Sequence, residues 1–396
     1  MRLIFPEGHR YSCQSCGRCC RGWNIHVDEK TAASLKDTAL YRDMKQRGAE
    51  PLTFDSGDGT YSTARQPNGD CYFLTPENLC TIHRDVEYKA KPLACRQFPF
   101  RIRRTPDGVV VGLSFYCPSV MTDTGDPVER YEPEIRSWLD AHSYGSVGDG
   151  PMPFDESIQI DWKGYRILEG FVRHCLFHGD DVPQALWEAE KALLLISILS
   201  VPKNVTAKGQ PGITVLEAPR LEKSLTEASV FDFGNAQVFP QLSLFFAFTV
   251  VGVLESKGPD EARAATEAAM SGGAFHSLHF SRTVDLAGFG AYYQANPCQW
   301  KSVMMRKYLD HLVFRTFLVE SEPVLHRMTA LYMAASLLDF YLYLSAWQAG
   351  RPAPGEEDMR CALGIVEKGF AGHTRTLVPF FKGFTDGFRR QMKEML

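Results

Sequence analysis

Hydrophobic and polar positions follow two different rhythms along this chain, and the change falls near residue 145. Downstream, apolar residues recur every three or four positions over 160–177, 183–200, 236–256, 259–271, 297–320, 323–348, 357–368 and 376–394, a spacing that predicts helices. Asp181-Val182-Pro183 and Glu322-Pro323 read as helix starts, because proline suits a first turn whose N–H groups have no helical partner. Upstream, a single helical pattern opens at Asp28, a capping residue, runs over 30–45 and stops at Gly48. Elsewhere short strand-like pieces alternate with turns such as Gly57-Asp58-Gly59 and Pro67-Asn68-Gly69-Asp70. Residues 98–103 and 109–115 pair as a hairpin across Thr105-Pro106-Asp107-Gly108.

Between the two textures, residues 143–153 are rich in glycine, proline and small residues, as linkers are. The pattern predicts an α+β, mainly α chain: residues 1–145 form a small cysteine-rich module with short strands, and residues 151–396 a large helical domain. The longest apolar run, 238–254, is broken by Pro240, Gln241, Ser243 and Thr249. It is shorter than the roughly 20 residues of a bilayer span. It reads as a buried helix, and no membrane association is expected.

Composition narrows the classes. Of 396 residues, 44% are hydrophobic and 23% charged, ordinary for a globular chain long enough for two or three domains. A net charge of −4 gives no basic domain of the kind nucleic-acid binding needs. The opening Met1–His9 has three apolar residues before Pro6, too few for a secretory signal, so a cytoplasmic location is expected. In that reducing compartment clustered cysteines are more often metal ligands than disulfides.

The cysteines are the chemistry this chain advertises. Cys13, Cys16, Cys19 and Cys20 fall within eight residues, and Cys71, Cys80, Cys95 and Cys117 follow; only three of the eleven cysteines lie beyond. Each Cys-x2-Cys step lets a tight turn present two sulfurs to one metal centre, as zinc knuckles and ferredoxins do. Trp23 stands where a ferredoxin run would place its fourth cysteine, so a distant thiol must complete any four-thiolate set; Cys117-Pro118 offers the Cys-Pro ending common in such clusters. Neighbouring Cys19 and Cys20 point in different directions and seldom share an ion. The eight thiols therefore suit two centres, or one centre with spare redox or structural thiols. Spacing alone separates neither a 4Fe-4S cluster from zinc nor two zinc sites from one cluster. The Cys-x3-Cys-x2-Cys pattern of radical S-adenosylmethionine enzymes is absent, since counting from Cys16 it ends on Trp23.

Many cations accompany the thiols: Arg10, Arg18, Arg21, Arg84, Lys89, Lys91, Arg96, Arg101, Arg103 and Arg104. A four-thiolate centre carries a net charge of about −2, which nearby cations make less costly to bury. Arg96 and its neighbours are also candidates to hold an anionic ligand such as a carboxylate. His26 and His83 are candidate ligands or proton carriers, although lone histidines are usually structural. Trp23, Phe98 and Phe100 read as walls around the metal. Asp28, His83, Asp85 and Glu87 are the candidates for a general base.

Three ordered blocks carry a resemblance. Cys13 to Cys20, Cys71-Tyr72-Phe73-Leu74 up to Cys80-Thr81-Ile82-His83, and Lys91-Pro92-Leu93-Ala94-Cys95-Arg96-Gln97-Phe98-Pro99 together resemble the CxxCxxCC cysteine-cluster family, often described as zinc- or iron-chelating. Lys91 stands where that family usually has arginine. Residues 19–28, the stretch Gly112-Leu113-Ser114-Phe115-Tyr116-Cys117-Pro118 and, more weakly, 308–315 are similar to flagellin lysine-N-methylases of the same superfamily. Those enzymes tend to space the opening cysteines more widely. The resemblance implies an iron–sulfur centre, S-adenosylmethionine as methyl donor with its carboxylate drawn to Arg96, and a lysine of a protein such as flagellin as acceptor. No Gly-rich strand–turn–helix of the Rossmann methyltransferase kind accompanies it. The alternatives are a non-catalytic metal-binding protein whose helical domain docks a partner, and a redox or iron-handling protein.

Overall fold

In the computed structural model the helix predicted from Asp28 forms, but as two helices. Glu29–Lys36 starts where the Asp28 carboxylate accepts from the Thr31 N–H at 2.9 Å. It stops because the Thr38 hydroxyl donates to Leu35 O at 2.6 Å and accepts from Tyr41 N at 3.1 Å, competing with the helical bonds and capping a new helix, Ala39–Gln46. The structure describes residues 1–396 apart from 22–23, 58, 180, 201–211, 232–259, 262, 265–266, 268–270, 272, 321 and 372–376. These residues separate into two units: Phe5–Ile102 with Val111–His142, and Met1–Ile4 with Arg103–Val110 and Ser143–Leu396.

The smaller unit is built from short pieces. Thr60–Thr63 is the middle strand of an antiparallel sheet, with Val27 opposite Tyr61 on one side and Leu52 opposite Thr63 on the other. Its core is Val27, Ala32, Leu35, Leu52, Cys71, Phe73, Leu74 and Ile82. An aromatic cluster forms elsewhere in the unit, where Phe100 meets Tyr11 at 5.6 Å, Tyr131 at 5.0 Å and Trp138 at 6.0 Å between ring centres. Tyr131 and Trp138 belong to the stretch around Glu132–Ala141, a helix the periodicity did not suggest.

The predicted hairpin is present as Phe100–Thr105 and Gly108–Leu113, and its tip, 103–110, counts with the larger unit. There Leu3 and Ile4 pair in parallel with Val109 and Val110. Gly108 has φ +142°, and a Cβ on it would lie 2.6 Å from Arg2 O, so the turn needs glycine both for its conformation and for this approach.

The larger unit is helical, as expected. Trp162–His178, Val182–Leu199, Lys301–Phe314, Val324–Gln348, Glu356–Ile365 and Val378–Met395 match predicted segments. Asp181 caps its helix by accepting from Gln184 N at 3.1 Å, with proline in the first turn. Val324–Gln348 is buried on every side from Val324 to Ala346, and it packs on Val182–Leu199, Glu356–Ile365 and Val378–Met395. The segment predicted over 297–320 ends early, at Phe314, because Thr316 takes a left-handed φ of 62° before the short turn Phe317–Val319. Helices Ala218–Ser229 and Leu286–Ala295 were not anticipated. The helix predicted over 236–256 lies outside the described residues, as does most of 259–271. No helix among the described residues is long and apolar enough to cross a membrane.

A buried ion pair begins at Arg315, just before that left-handed turn. The Arg315 guanidinium donates to both oxygens of Glu367 at 2.7 and 3.3 Å, and Tyr308 donates its hydroxyl to the same carboxylate at 2.9 Å. Both side chains are almost fully buried. Glu367→Ala leaves the guanidinium facing a cavity without its counter-charge, and the expected loss of stability is roughly 3 kcal/mol. Thermal unfolding checks this; a loss no larger than that of an exposed substitution would show that water or rearrangement relieves the charge.

Candidate metal centre

The thiol loop is held in place from both ends. At its start, Ser12 N donates to Thr124 O at 3.0 Å, and the Ser119 hydroxyl donates to Ser12 O at 2.7 Å. This fixes Cys13 beside the turn that carries Cys117, the capping residue of the short helix Pro118–Met121. The chain then reverses through left-handed Ser15 and Gly17 into the turn Arg18–Cys20. A Cβ on Gly17 would come within 2.9 Å of Asn78 Oδ1. Arg21 fastens the far end: its guanidinium donates to Cys16 O at 3.2 Å, to Asp70 Oδ1 at 3.0 Å and to Asn78 Oδ1 at 2.5 Å.

The later cysteines reach the same region on separate elements. Cys71 N donates to Cys20 O at 2.9 Å, and a bridge between Leu74 and Cys80 folds the next loop back. Cys95 lies on the helical turn Leu93–Gln97, started by Pro92. Together Cys13, Cys16, Cys19, Cys20, Cys80, Cys95 and Cys117 line one cavity of about 370 Å³. Cys71 does not line it. It is buried in the core with Cys20 and Cys80 packed against it.

The eleven cysteines carry free thiols. The Cys19 and Cys20 sulfurs lie 3.9 Å apart, so the tight turn Arg18–Cys20 brings together two thiols that extended chain would point in different directions. Burial pushes the Cys71 and Cys117 thiols up to about 11, and it raises Cys80 and Cys95 as well. Cys20 is raised first by its hydrogen bond with Cys19 and then by burial. Lys91 acts the other way on Cys20, Cys80 and Cys95. Such thiols stay neutral unless a cation replaces the proton, and a soft metal ion does so outright.

The donor chemistry fits a thiophilic metal. Eight thiols meet in one region, and soft sulfur ligands select zinc or iron–sulfur centres over the hard cations. Among the described residues, no three Cys, His, Asp or Glu side chains converge closely enough to hold one ion as they stand. Closing a ligand set therefore requires side-chain rotation, to which Cys13 and Cys16 lend themselves because both are exposed.

The other candidates sort clearly. Arg96 lines the cavity, as do Arg84 and Lys91; Arg96 Nε donates to Lys91 O at 3.2 Å. His83 and Phe98 line it too, and the His83 ring stands 5.4 Å from that of Tyr88. The remaining base candidates do not reach it: Asp28 caps a helix, Asp85 is exposed and paired with Arg84, and Glu87 is absent from the lining. His26 sits exposed on a strand, Phe100 belongs to the aromatic cluster, and Trp23 lies outside the described residues. Tyr11 and Tyr88 face the cavity without having been anticipated. Tyr11 stands two residues before the first thiol, the one sequence signal that pointed to it.

Residues 12–115 match the family model CxxCxxCC, described as "Putative zinc- or iron-chelating domain". This segment resembles a CxxCxxCC domain. The chain is 29% identical over 117 residues to an uncharacterised protein of Methanocaldococcus jannaschii, covering 29% of this chain and 38% of that one. It is 27% identical over 119 residues to a lysine-N-methylase of Salmonella typhimurium, covering 28% and 29%. To the flagellar biosynthetic protein FliU of Salmonella muenchen it is 26% identical over 107 residues, covering 26% and 62%. The similarity thus spans less than two thirds of each relative. No solved structure matches.

Proposed function

We propose that the CxxCxxCC domain holds a zinc or iron–sulfur centre and that the cavity beside it binds S-adenosylmethionine for methylation of a lysine amine on a protein such as flagellin. One observation carries the reading: the cavity joins seven cysteines to Arg84, Lys91 and Arg96, and its roughly 370 Å³ falls in the range of small-ligand pockets. Relatives named lysine-N-methylase support the choice of reaction. The metal, when bound, supplies a fixed positive charge that keeps the thiols ionised. Arg96, on the cavity wall, is the residue proposed to receive the ligand carboxylate. A lysine amine accepts a methyl group only without its proton, and His83 is the one base candidate facing the cavity.

A second reading keeps the metal and drops the reaction. Among the described residues no carboxylate lines the cavity, which leaves proton removal to His83, a tyrosine or a spare thiol and favours a non-catalytic metal protein.

The experiment that separates them is titration calorimetry with S-adenosylmethionine on anaerobically purified, metal-replete protein. Binding is expected, weakened about tenfold by Arg96→Ala, the scale of one lost charge-assisted contact. No heat at millimolar ligand would leave the non-catalytic reading. The same preparation distinguishes the metals: brown protein with acid-labile sulfide means iron–sulfur, and colourless protein with stoichiometric zinc means zinc.

A further inference from the structure

We propose that the eight thiols form two four-cysteine sites meeting at the Cys19–Cys20 step: Cys13, Cys16, Cys19 and Cys117 hold one metal centre, and Cys20, Cys71, Cys80 and Cys95 hold the other. The pairing rests on the metal-centre reading above and adds to it which thiols work together.

Backbone connections make the division. Ser12, next to Cys13, is tied to Ser119, inside the short helix that Cys117 caps, and to Thr124, just beyond its end. Arg18, between Cys16 and Cys19, lays its guanidinium over the ring of Tyr116, 4.8 Å from the centroid and one residue from Cys117. The opening loop and the Cys117 turn are therefore one local structure. The second set is tied as firmly. Cys71 donates to Cys20 O, Arg65 donates to the same carbonyl at 2.8 Å, and Cys20 and Cys80 pack on the core that contains Cys71.

Cys95, on the helical turn Leu93–Gln97, shares the cavity wall with Cys20 and Cys80 and, as the remaining thiol of the eight, completes the second set. The Cys19 and Cys20 sulfurs, 3.9 Å apart, meet across the two sets. Consecutive residues sit at the seam because the turn Arg18–Cys20 carries the chain from one set into the other. Two closed four-thiolate sites use all eight cysteines of the cluster and leave none spare. Four thiolates are also the usual complement of a closed structural zinc site.

Cobalt(II) tests the pairing, because it colours four-thiolate sites and can be counted. The full chain, reduced and freed of metal, is titrated with cobalt(II) and its bound metal measured. Two equivalents are expected for the wild type, one for Cys16→Ser, one for Cys80→Ser and none for the double variant. Cys16 is exposed and its replacement leaves the core untouched. If Cys80→Ser proves poorly folded by limited proteolysis, Cys95→Ser takes its place with the same expectation. One equivalent in the wild type, or a single variant that loses both equivalents or neither, overturns the pairing while leaving the metal reading intact. Wild-type protein that takes up no cobalt overturns both.

Discussion

Stripping the metal with a chelator under reducing conditions will make the unit of residues 5–102 and 111–142 protease-sensitive while the helices of 160–395 keep their circular dichroism. The unit has little else to hold it. The strands of the sheet around Thr60–Thr63 are two to four residues long, the unit's two N-terminal helices have eight residues each, and one core holds only eight buried side chains. Helices this short are marginal without tertiary support. Binding of a structural metal by thiolates contributes on the order of 10 kcal/mol at neutral pH, as much as the whole stability of an ordinary domain. Cys16→Ser should reproduce part of the effect, since it removes a ligand without touching the core. Limited proteolysis followed by mass spectrometry reads the outcome. Cleavage that stays outside residues 5–142 after complete metal removal would mean that the short elements and the aromatic cluster around Phe100 suffice by themselves.

The large unit was the easier half to read, and the reason is length. A helix such as Val182–Leu199 spans five turns, so its spacing repeats often enough to be unmistakable, and Asp181 with Pro183 marks its start. Where tertiary or local bonds intervene, periodicity fails. The pattern over 30–45 carries straight through Thr38, whose hydroxyl splits it into two helices; likewise 297–320 carries through Thr316, whose backbone turns left-handed. Both breaks fall at threonines, where a hydroxyl bonds the backbone, and neither involves the glycine or proline that marks most ends. The site was legible in kind, since seven of the eight predicted thiols reach one cavity. The proposed grouping was hidden, because the Ser12–Ser119 and Ser12–Thr124 bonds that bring Cys13 beside Cys117 join residues more than 100 apart in sequence. The base candidates show the same limit: four acidic or histidine residues looked equivalent along the chain, and only His83 faces the cavity.

Stability of the large unit will fall as pH rises from about 4.5 to 8, and Glu190→Gln will remove that part of the dependence. Glu190 is completely buried on Val182–Leu199. One of its oxygens accepts from the Thr329 hydroxyl, which is also 2.7 Å from the Thr385 hydroxyl; the other oxygen has no hydrogen-bond partner among the described residues. Burial pushes its pKa up to about 8, and the Thr329 hydrogen bond and the charge of Arg389 offset only part of the rise. The Arg389 guanidinium is committed elsewhere, to Glu156 at 3.2 and 3.3 Å. In the unfolded chain a glutamate has a pKa of about 4.3. Below that value both states hold the proton and the folded carboxyl is neutral, as its surroundings require. Between the two values the folded state binds a proton that the unfolded state has released, so stability drops by roughly 1.4 kcal/mol per pH unit. Above about 8 the carboxylate is charged in both states and the loss levels off, having reached up to about 5 kcal/mol. Glu156 acts in the opposite sense: its hydrogen bonds to His326 and Lys382 hold it below the usual range, so its contribution is present above about pH 4.5 and is lost progressively as pH falls below that. The informative quantity is therefore the difference between wild type and Glu190→Gln, whose amide oxygen still accepts from Thr329 without ionising. Denaturant unfolding at several pH values should give curves that nearly coincide near pH 4.5 and separate steadily to pH 8, with the variant the more stable. A difference independent of pH would mean that Glu190 ionises at an ordinary pKa, and that the buried oxygen finds a partner the fold does not reveal.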